Sequence, residues 1–273
     1  MTRMNRFIFI TAIIGAMVAI TTLGTAQELE TETARLLKQG KIETSVGLEY
    51  QTSYEGIETA VPLVFEVGLL DRLELMLEPV VYTAIRPKKG PGATGIGDLE
   101  VTFTGLAVEE SRIFPALAFA AEVKIPTTKN PLIGTGKFDY TWYLILSKQF
   151  GHLDTHFNLG YTLTGKPTGV NVKNVWSFAT AARYLIGEKY DVFAEVVGHT
   201  SPSRGGGGDS GGGGGESGGG GGEGSNSSEL SGWEVAGTVG AGWDVTPSVH
   251  LFLSLTCDNN SALLVHPGVT FKW

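Results

Sequence analysis

The sequence predicts an all-β fold: a transmembrane, antiparallel, up-and-down β-barrel of about 12 strands, preceded by a short N-terminal periplasmic helix. Three observations carry this reading. From Lys41 to the last residue, apolar and polar side chains alternate with period two, which is a strand signal. One of the two faces so defined is almost free of charge. The joins between strands alternate between short turns and longer loops, as they do when turns and loops lie on opposite sides of a membrane. Two outer joins, near Thr52 to Gly56 and Asp258 to Ser261, are short and weaken the alternation.

Composition narrows the field before any element is placed. The chain has 273 residues, 18% charged and 42% hydrophobic, with 39 glycines and a net charge of −8, which fits one large β domain. The single Cys257 cannot form an internal disulfide, and no Cys-x-x-Cys or Cys/His spacing exists to hold zinc or an iron–sulfur cluster, so neither a metal nor a cofactor is expected. No apolar run reaches the roughly eighteen residues of a helical span. The acidic balance argues against a nucleic-acid partner.

Residues 1–26 read as a secretory signal peptide: Arg3 and Arg6, then an apolar run from Phe7 to Ile20, then Gly24, Thr25 and Ala26 before the cleavage point. An uncleaved anchor helix is the alternative, disfavoured because the run is shorter than the ~20 residues that span a bilayer. Cleavage after Ala26 leaves 18 basic against 28 acidic side chains, a mature charge of −10. Residues 27–40 form the periplasmic N-terminal segment. Within it Glu28 to Gln39 predicts one short helix, with Leu29, Leu36 and Leu37 apolar, Lys38 near its end and Gly40 as its stop. Such a helix is too short to stand alone, so it serves as a plug or cap, with a disordered leader as the alternative.

Residues 41–273 form the barrel. In the first strand Ile42, Thr44, Val46, Leu48 and Tyr50 oppose Glu43, Ser45, Gly47 and Glu49. Val61, Leu63, Phe65 and Val67 follow, then the turn at Leu70 to Arg72 and Leu73, Leu75 and Leu77 against Glu74, Met76 and Glu78. The fourth and fifth strands set Leu99, Val101, Phe103 and Leu117, Phe119, Ala121, Val123 on the apolar face. The sixth to ninth continue with Tyr140, Trp142, Leu144; Phe157, Leu159, Tyr161; Trp176, Phe178, Tyr184; and Val192, Ala194, Val196. Trp233, Val235, Val239 and Trp243, then Val249 to Leu255, then Val265, Val269, Phe271 and Trp273 complete the count. Twelve is even, which puts both ends in the periplasm.

The apolar face carries only Lys148, near a strand end. A lysine or arginine facing lipid at mid-depth costs about 2–4 kcal/mol, so an empty face is what a barrel requires; a soluble β-sandwich is the alternative. Trp233 and Trp243 share a face ten residues apart, about 33 Å along the strand at ~3.3 Å per residue, or about 25 Å of height at barrel tilt. With Trp176 they predict aromatic girdles. Val269, Phe271 and Trp273 resemble the C-terminal signal read by the barrel-assembly machinery. Outer-membrane lipid and that machinery are thus the expected partners, with a small-molecule solute.

The longest outer loop, residues 199–231, holds glycine runs between Arg204 and Ser225 broken by Asp209, Glu216 and Glu223. It cannot bury a core and reads as an anionic flap or a neutral insertion. Gly215 to Gly219 matches Gly-x-Ser-x-Gly, and Gly90 to Gly95 a dinucleotide fingerprint, but neither has the strand, turn and helix that its chemistry needs. His152, His156 and His250 point toward a metal site or a general base, yet no nucleophile, base and orienter can be assembled, so no enzyme is expected.

The inward positions carry Glu43, Glu49, Glu66, Glu74, Glu78, Asp98, Glu100, Glu122, Asp139, Asp154, Glu195 and Glu234 against Lys41, Lys124, Lys137, Arg183 and Lys272, with His156 among them. An open lumen of this kind favours cations. The alternative is that Glu122, Lys124, Lys137 and Asp139 pair across the interior and fill it. Small inward residues, among them Ala116, Ala118, Ala120, Gly160 and Gly240, leave room for a narrow passage lined by Met76, Tyr82, Phe114, Phe193 and Phe252.

Several segments together resemble the family of outer-membrane transporters named for the phenol meta-degradation pathway: Gly68 to Leu75 (Gly-Leu-Leu-Asp-Arg-Leu-Glu-Leu), Gly95 to Glu100, Phe114 to Ala118, Lys124 to Thr127 and Gly134 to Tyr140. The resemblance implies an outer-membrane barrel of Gram-negative type, with aromatic or other small hydrophobic compounds as candidate solutes. It carries over no catalytic residues, and the glycine tract departs from the family pattern. The expected function is passive passage of small solutes through an acidic lumen. The alternative is a closed structural or adhesive barrel whose surface loops bind a partner.

Overall fold

A sheet that keeps its apolar side chains on one face can satisfy every strand edge only by curling until its first and last strands meet. The computed structural model, which describes residues 29–167, 172–201 and 233–273, shows that closure. Twelve antiparallel strands run β1 (Ile42–Gly47 and Glu49–Thr52), β2 (Gly56–Leu70), β3 (Leu73–Pro87), β4 (Ala93–Gly95 and Leu99–Val108), β5 (Ala116–Ile125) and β6 (Asp139–Phe150). They continue β7 (Leu153–Leu163), β8 (Val175–Ile186), β9 (Tyr190–Thr200), β10 (Trp233–Thr246), β11 (Val249–Asp258) and β12 (Leu263–Lys272). Each pairs with its chain neighbours, and β12 returns to β1, with Glu43 opposite Lys272 and Val46 opposite Val269. The signal peptide expected over residues 1–26 and most of the glycine-rich loop lie outside the described residues.

Two strands are split, for local reasons. Opposite Leu48 stands Pro267, which has no N–H; Leu48 donates to the Pro267 carbonyl at 3.0 Å but receives nothing in return, and β1 divides there. In β4 the chain leaves the ladder at Ile96 to Asp98, held by one bond from the Gly97 N–H to the Val80 carbonyl at 2.8 Å. Beside it a bulge inserts Val81 between the pairs Pro62–Val80 and Val61–Tyr82. One inserted residue reverses the alternation. Thus Met76 is buried but Tyr82 is 43% exposed, on the outside. Phe114 is 66% exposed because it lies in the turn between β4 and β5. Neither lines the interior; Met76, Phe193 and Phe252 do.

The outer surface is apolar over the middle of the strands and aromatic at two levels. Tyr161 and Trp176 (ring centroids 4.6 Å apart) and Phe178 and Trp233 (5.7 Å) stand near the loop ends of their strands. Tyr190 and Trp243 (6.3 Å) and Phe271 and Trp273 (6.4 Å) stand near the turn ends. Inside, rings lie against glycines of the next strand. A Cβ on Gly240 would sit 2.2 Å from the Phe193 ring, and one on Gly268 2.1 Å from that of Phe252. Glycine there lets an inward ring flatten against the wall.

The short helix expected over Glu28–Gln39 is not formed: residues 29–40 contain neither helix nor strand. They enter the barrel from the turn end, where Gly40 N–H donates to Gly68 O at 2.8 Å, and pack inside it as an irregular strap. Ala34, 1% exposed, sits with Ala116, Ala118, Ala120 and Ile145. The small inward residues therefore make room for a piece of the chain itself.

Replacing outward Leu253 with arginine is expected to destabilise the barrel by about 2–4 kcal/mol, read as an earlier denaturant midpoint in lipid vesicles. The same change at inward Ser254 is expected to cost less.

Candidate functional site

The interior divides into two levels. At the turn end the strap is tied to the wall by inward side chains from several strands. Glu195 Oε1 accepts both the Thr31 N–H (2.6 Å) and the Thr31 hydroxyl (2.5 Å). Ser147 Oγ accepts the Ala34 N–H at 2.8 Å, and Glu74 Oε2 the Leu37 N–H at 2.6 Å. The Asn158 side chain, with its amide turned to suit both groups, accepts from Glu32 N–H (2.6 Å) and donates to Glu32 O (3.0 Å). Arg35 reaches Asp154 Oδ1 and Glu110 Oε2, each at 2.6 Å. These bonds replace the i to i−4 bonds a helix would have made, which is why the strap is not helical.

Glu110 sits in the turn after β4. Partial burial works against its charge, but the Gln149 N–H (3.0 Å), Lys148 (3.0 Å) and Arg35 together hold its carboxyl below the usual range. Lys148, predicted as the one charge on the outer face, thus turns its ammonium to this rim.

Ser147, His156 and Asp154 come together, although the sequence offered no way to assemble such a set. Ser147 Oγ is 2.9 Å from His156 Nδ1, and His156 Nε2 is 3.6 Å from Asp154 Oδ2. Serine is fully buried, and its Oγ is already engaged by Ala34 of the strap. With the strap in place the serine is covered, and the group acts as an anchor for it.

Above the strap lies a cavity of about 360 Å³. Its lining holds eight carboxylates, Glu30, Glu32, Glu49, Glu78, Glu100, Glu122, Asp139 and Glu195, and one lysine, Lys124. Leu29, Glu30 and Glu32 of the strap contribute to it. Register explains the concentration: Glu78 stands opposite Glu100, Glu100 opposite Lys124, and Lys124 opposite Asp139. Lys124 forms an ion pair with Asp139, which also accepts the Gly165 N–H at 2.6 Å; Glu122 accepts the Tyr143 hydroxyl at 3.2 Å. Lys137 stands in the loop before β6, so of the four charges expected to pair across the interior only Lys124 and Asp139 do so.

The remaining inward positions have other duties. Glu43 and Glu66 face each other near the turn end, close to Lys272. Asp98, in the gap of β4, is 3% exposed and accepts the Thr128 N–H at 3.0 Å, which holds the outer loop instead of lining the passage. Glu234 lies 3.6 Å from His199 at the outer rim. Arg183 lies 3.8 Å from Asp191, with its guanidinium 5.6 Å from the Phe193 ring centroid. His250 is 2.9 Å from Asp244, and Lys272 3.7 Å. Asp191 shares the face of Glu195, so its parity marks it as inward. Arg35, Glu30 and Glu32 sit on a segment with no period and leave no such mark.

A closed barrel of twelve strands, apolar outside between two aromatic levels and charged within, is an outer-membrane β-barrel. The chain belongs to the family described as "Putative MetA-pathway of phenol degradation", whose sequence model matches residues 57–255. Among solved structures the fold is similar to the COG4313 outer membrane channel from Pseudomonas putida F1, with a TM-score of 0.62 at 12% identity over 90% of this chain and all of that one. It is also similar to the NanC porin (TM-score 0.55, 12% identity, 84% of this chain and all of that one). The KdgM porin in complex with disordered oligogalacturonate gives a TM-score of 0.53 at 8% identity, over 84% of this chain and 99% of that one. No curated protein matches the sequence.

Two predictions follow from the charges. Lys124→Met strands Asp139 among carboxylates and is expected to lower thermal stability, whereas adding Asp139→Asn restores part of the loss; a double-mutant cycle by thermal melting measures the coupling. A carboxyl held low in the folded state stabilises above its unfolded pKa, near 4.5, and loses that contribution as pH falls through the lower folded value. Glu110→Gln is expected to flatten the acid limb of stability below about pH 4.5, read by denaturant midpoints across pH.

Proposed function

We propose that the protein is a passive outer-membrane channel for small solutes with a preference for cations. The observation that carries this is the cavity inside a closed barrel, with eight carboxylates and a single lysine in its lining. In their ionised form these carboxylates draw in cations and repel anions. The porin and channel folds of the structural relatives support the reading. The family description, together with Tyr143 and other uncharged side chains in the cavity wall, makes small aromatic or hydrophobic compounds candidate solutes. In this reading a signal peptide ending at Ala26 brings the chain across the inner membrane, and the strand ending in Phe271 and Trp273 delivers it to the barrel-assembly machinery. Lipid packs against the aromatic girdles.

The test is current across a planar bilayer under a salt gradient. The mature chain is expected to give steps whose reversal potential favours cations, and Glu100→Gln is expected to move that potential toward zero. An unchanged reversal potential would remove the acidic cavity as the selectivity element. Folded protein that stays silent even without residues 29–40 would sink the channel.

A further inference from the structure

The strap is the one element of the described structure held inside the barrel without being part of its wall. Among the described residues, its only bonds to wall backbone are at its exit, around Gly40, Lys41 and Gly68. Elsewhere it hangs on side chains, namely Glu195, Asn158, Ser147, Asp154, Glu110, Glu74 and Asp71 among the described residues. A segment that shares no strand ladder can leave without opening the barrel. Its residues also fit their place poorly as permanent core, since only Ala34, Thr31 and Leu37 are buried, and what holds them is hydrogen bonding to groups that water could serve equally well.

From these features we infer that residues 29–40 are a displaceable gate that closes the periplasmic half of the lumen, with Arg35 as its latch. The inference rests on the channel reading. Arg35 is the strap's single cation bound to the wall among the described residues, and it bridges two elements, Asp154 on β7 and Glu110 in the turn after β4, at 2.6 Å each. Lys148 completes the rim by binding the same Glu110. Higher up, Glu30 and Glu32 line the cavity beside the acids of the wall, whereas the outer end of the strap is tied by the ion pairs of Arg35.

The experiment uses the mature chain with Cys257→Ser, in planar bilayers, with folding checked by circular dichroism. Arg35→Glu is expected to raise the mean conductance at least tenfold over the parent. A second variant, Ala34→Cys with Ser147→Cys, is expected to be silent when oxidised and to conduct after reduction, because the Ala34 N–H lies 2.8 Å from Ser147 Oγ and a disulfide there fixes the strap. Equal conductance of parent and Arg35→Glu, or of the oxidised and reduced pair, would overturn the gate while leaving the channel intact. Silence of a folded variant lacking residues 29–40 would overturn the channel itself. Arg35→Lys keeps the charge and is expected to behave as the parent.

Discussion

Backbone hydrogen bonding in a place without water is the constraint on which this structure depends. Inside a bilayer an unpaired N–H or carbonyl has no solvent to turn to, so a sheet must close on itself. The pairing of Glu43 with Lys272 and Val46 with Val269 is that closure, and it fixes the parity of the sheet. Once parity is fixed, each residue is committed to one side. The exceptions occur where the ladder is locally broken: opposite Pro267, which cannot donate, and at Val81, where one inserted residue turns Tyr82 outward.

Closure also decides what the interior charges can do. Near the turn end, Glu74, Asp154 and Glu195 are spent on the N–H groups and the guanidinium of the strap, and the alanines of β5 give it room. Toward the loop end, Glu78, Glu100 and Glu122 meet across neighbouring strands with Lys124 as their only close lysine among the described residues. Acids of the same type thus hold a backbone segment in one half and set a field in the other. The difference lies in whether a donor is at hand.

The approach of Ser147, His156 and Asp154 shows why proximity alone does not define chemistry. Ser147 and His156 are within hydrogen-bond distance, but Asp154 stands 3.6 Å from His156, and serine is fully buried and already hydrogen-bonded to the strap. Access, as much as distance, is a property of the folded chain.

Much of the barrel was legible in the sequence, because strand periodicity is a local property and a membrane face tolerates almost no charge: Phe119, Trp142, Leu253 and their neighbours announce the outer surface residue by residue. The two aromatic levels were legible for the same reason. Other features required contacts between residues far apart in the chain. The segment Glu28 to Gln39 carries a plausible helical pattern, yet its N–H groups find Glu195, Ser147 and Glu74, between about 40 and 160 positions away, and the helix never forms. Asp98 reads as a wall acid by parity and is drawn off by the Thr128 N–H where β4 is split. The sequence by itself determined the barrel, its outer face and the sign of its interior, since each follows from alternation along one strand. Only the tertiary structure decided which of those inward groups face open space and which are consumed, because that depends on the strap that closure brings inside.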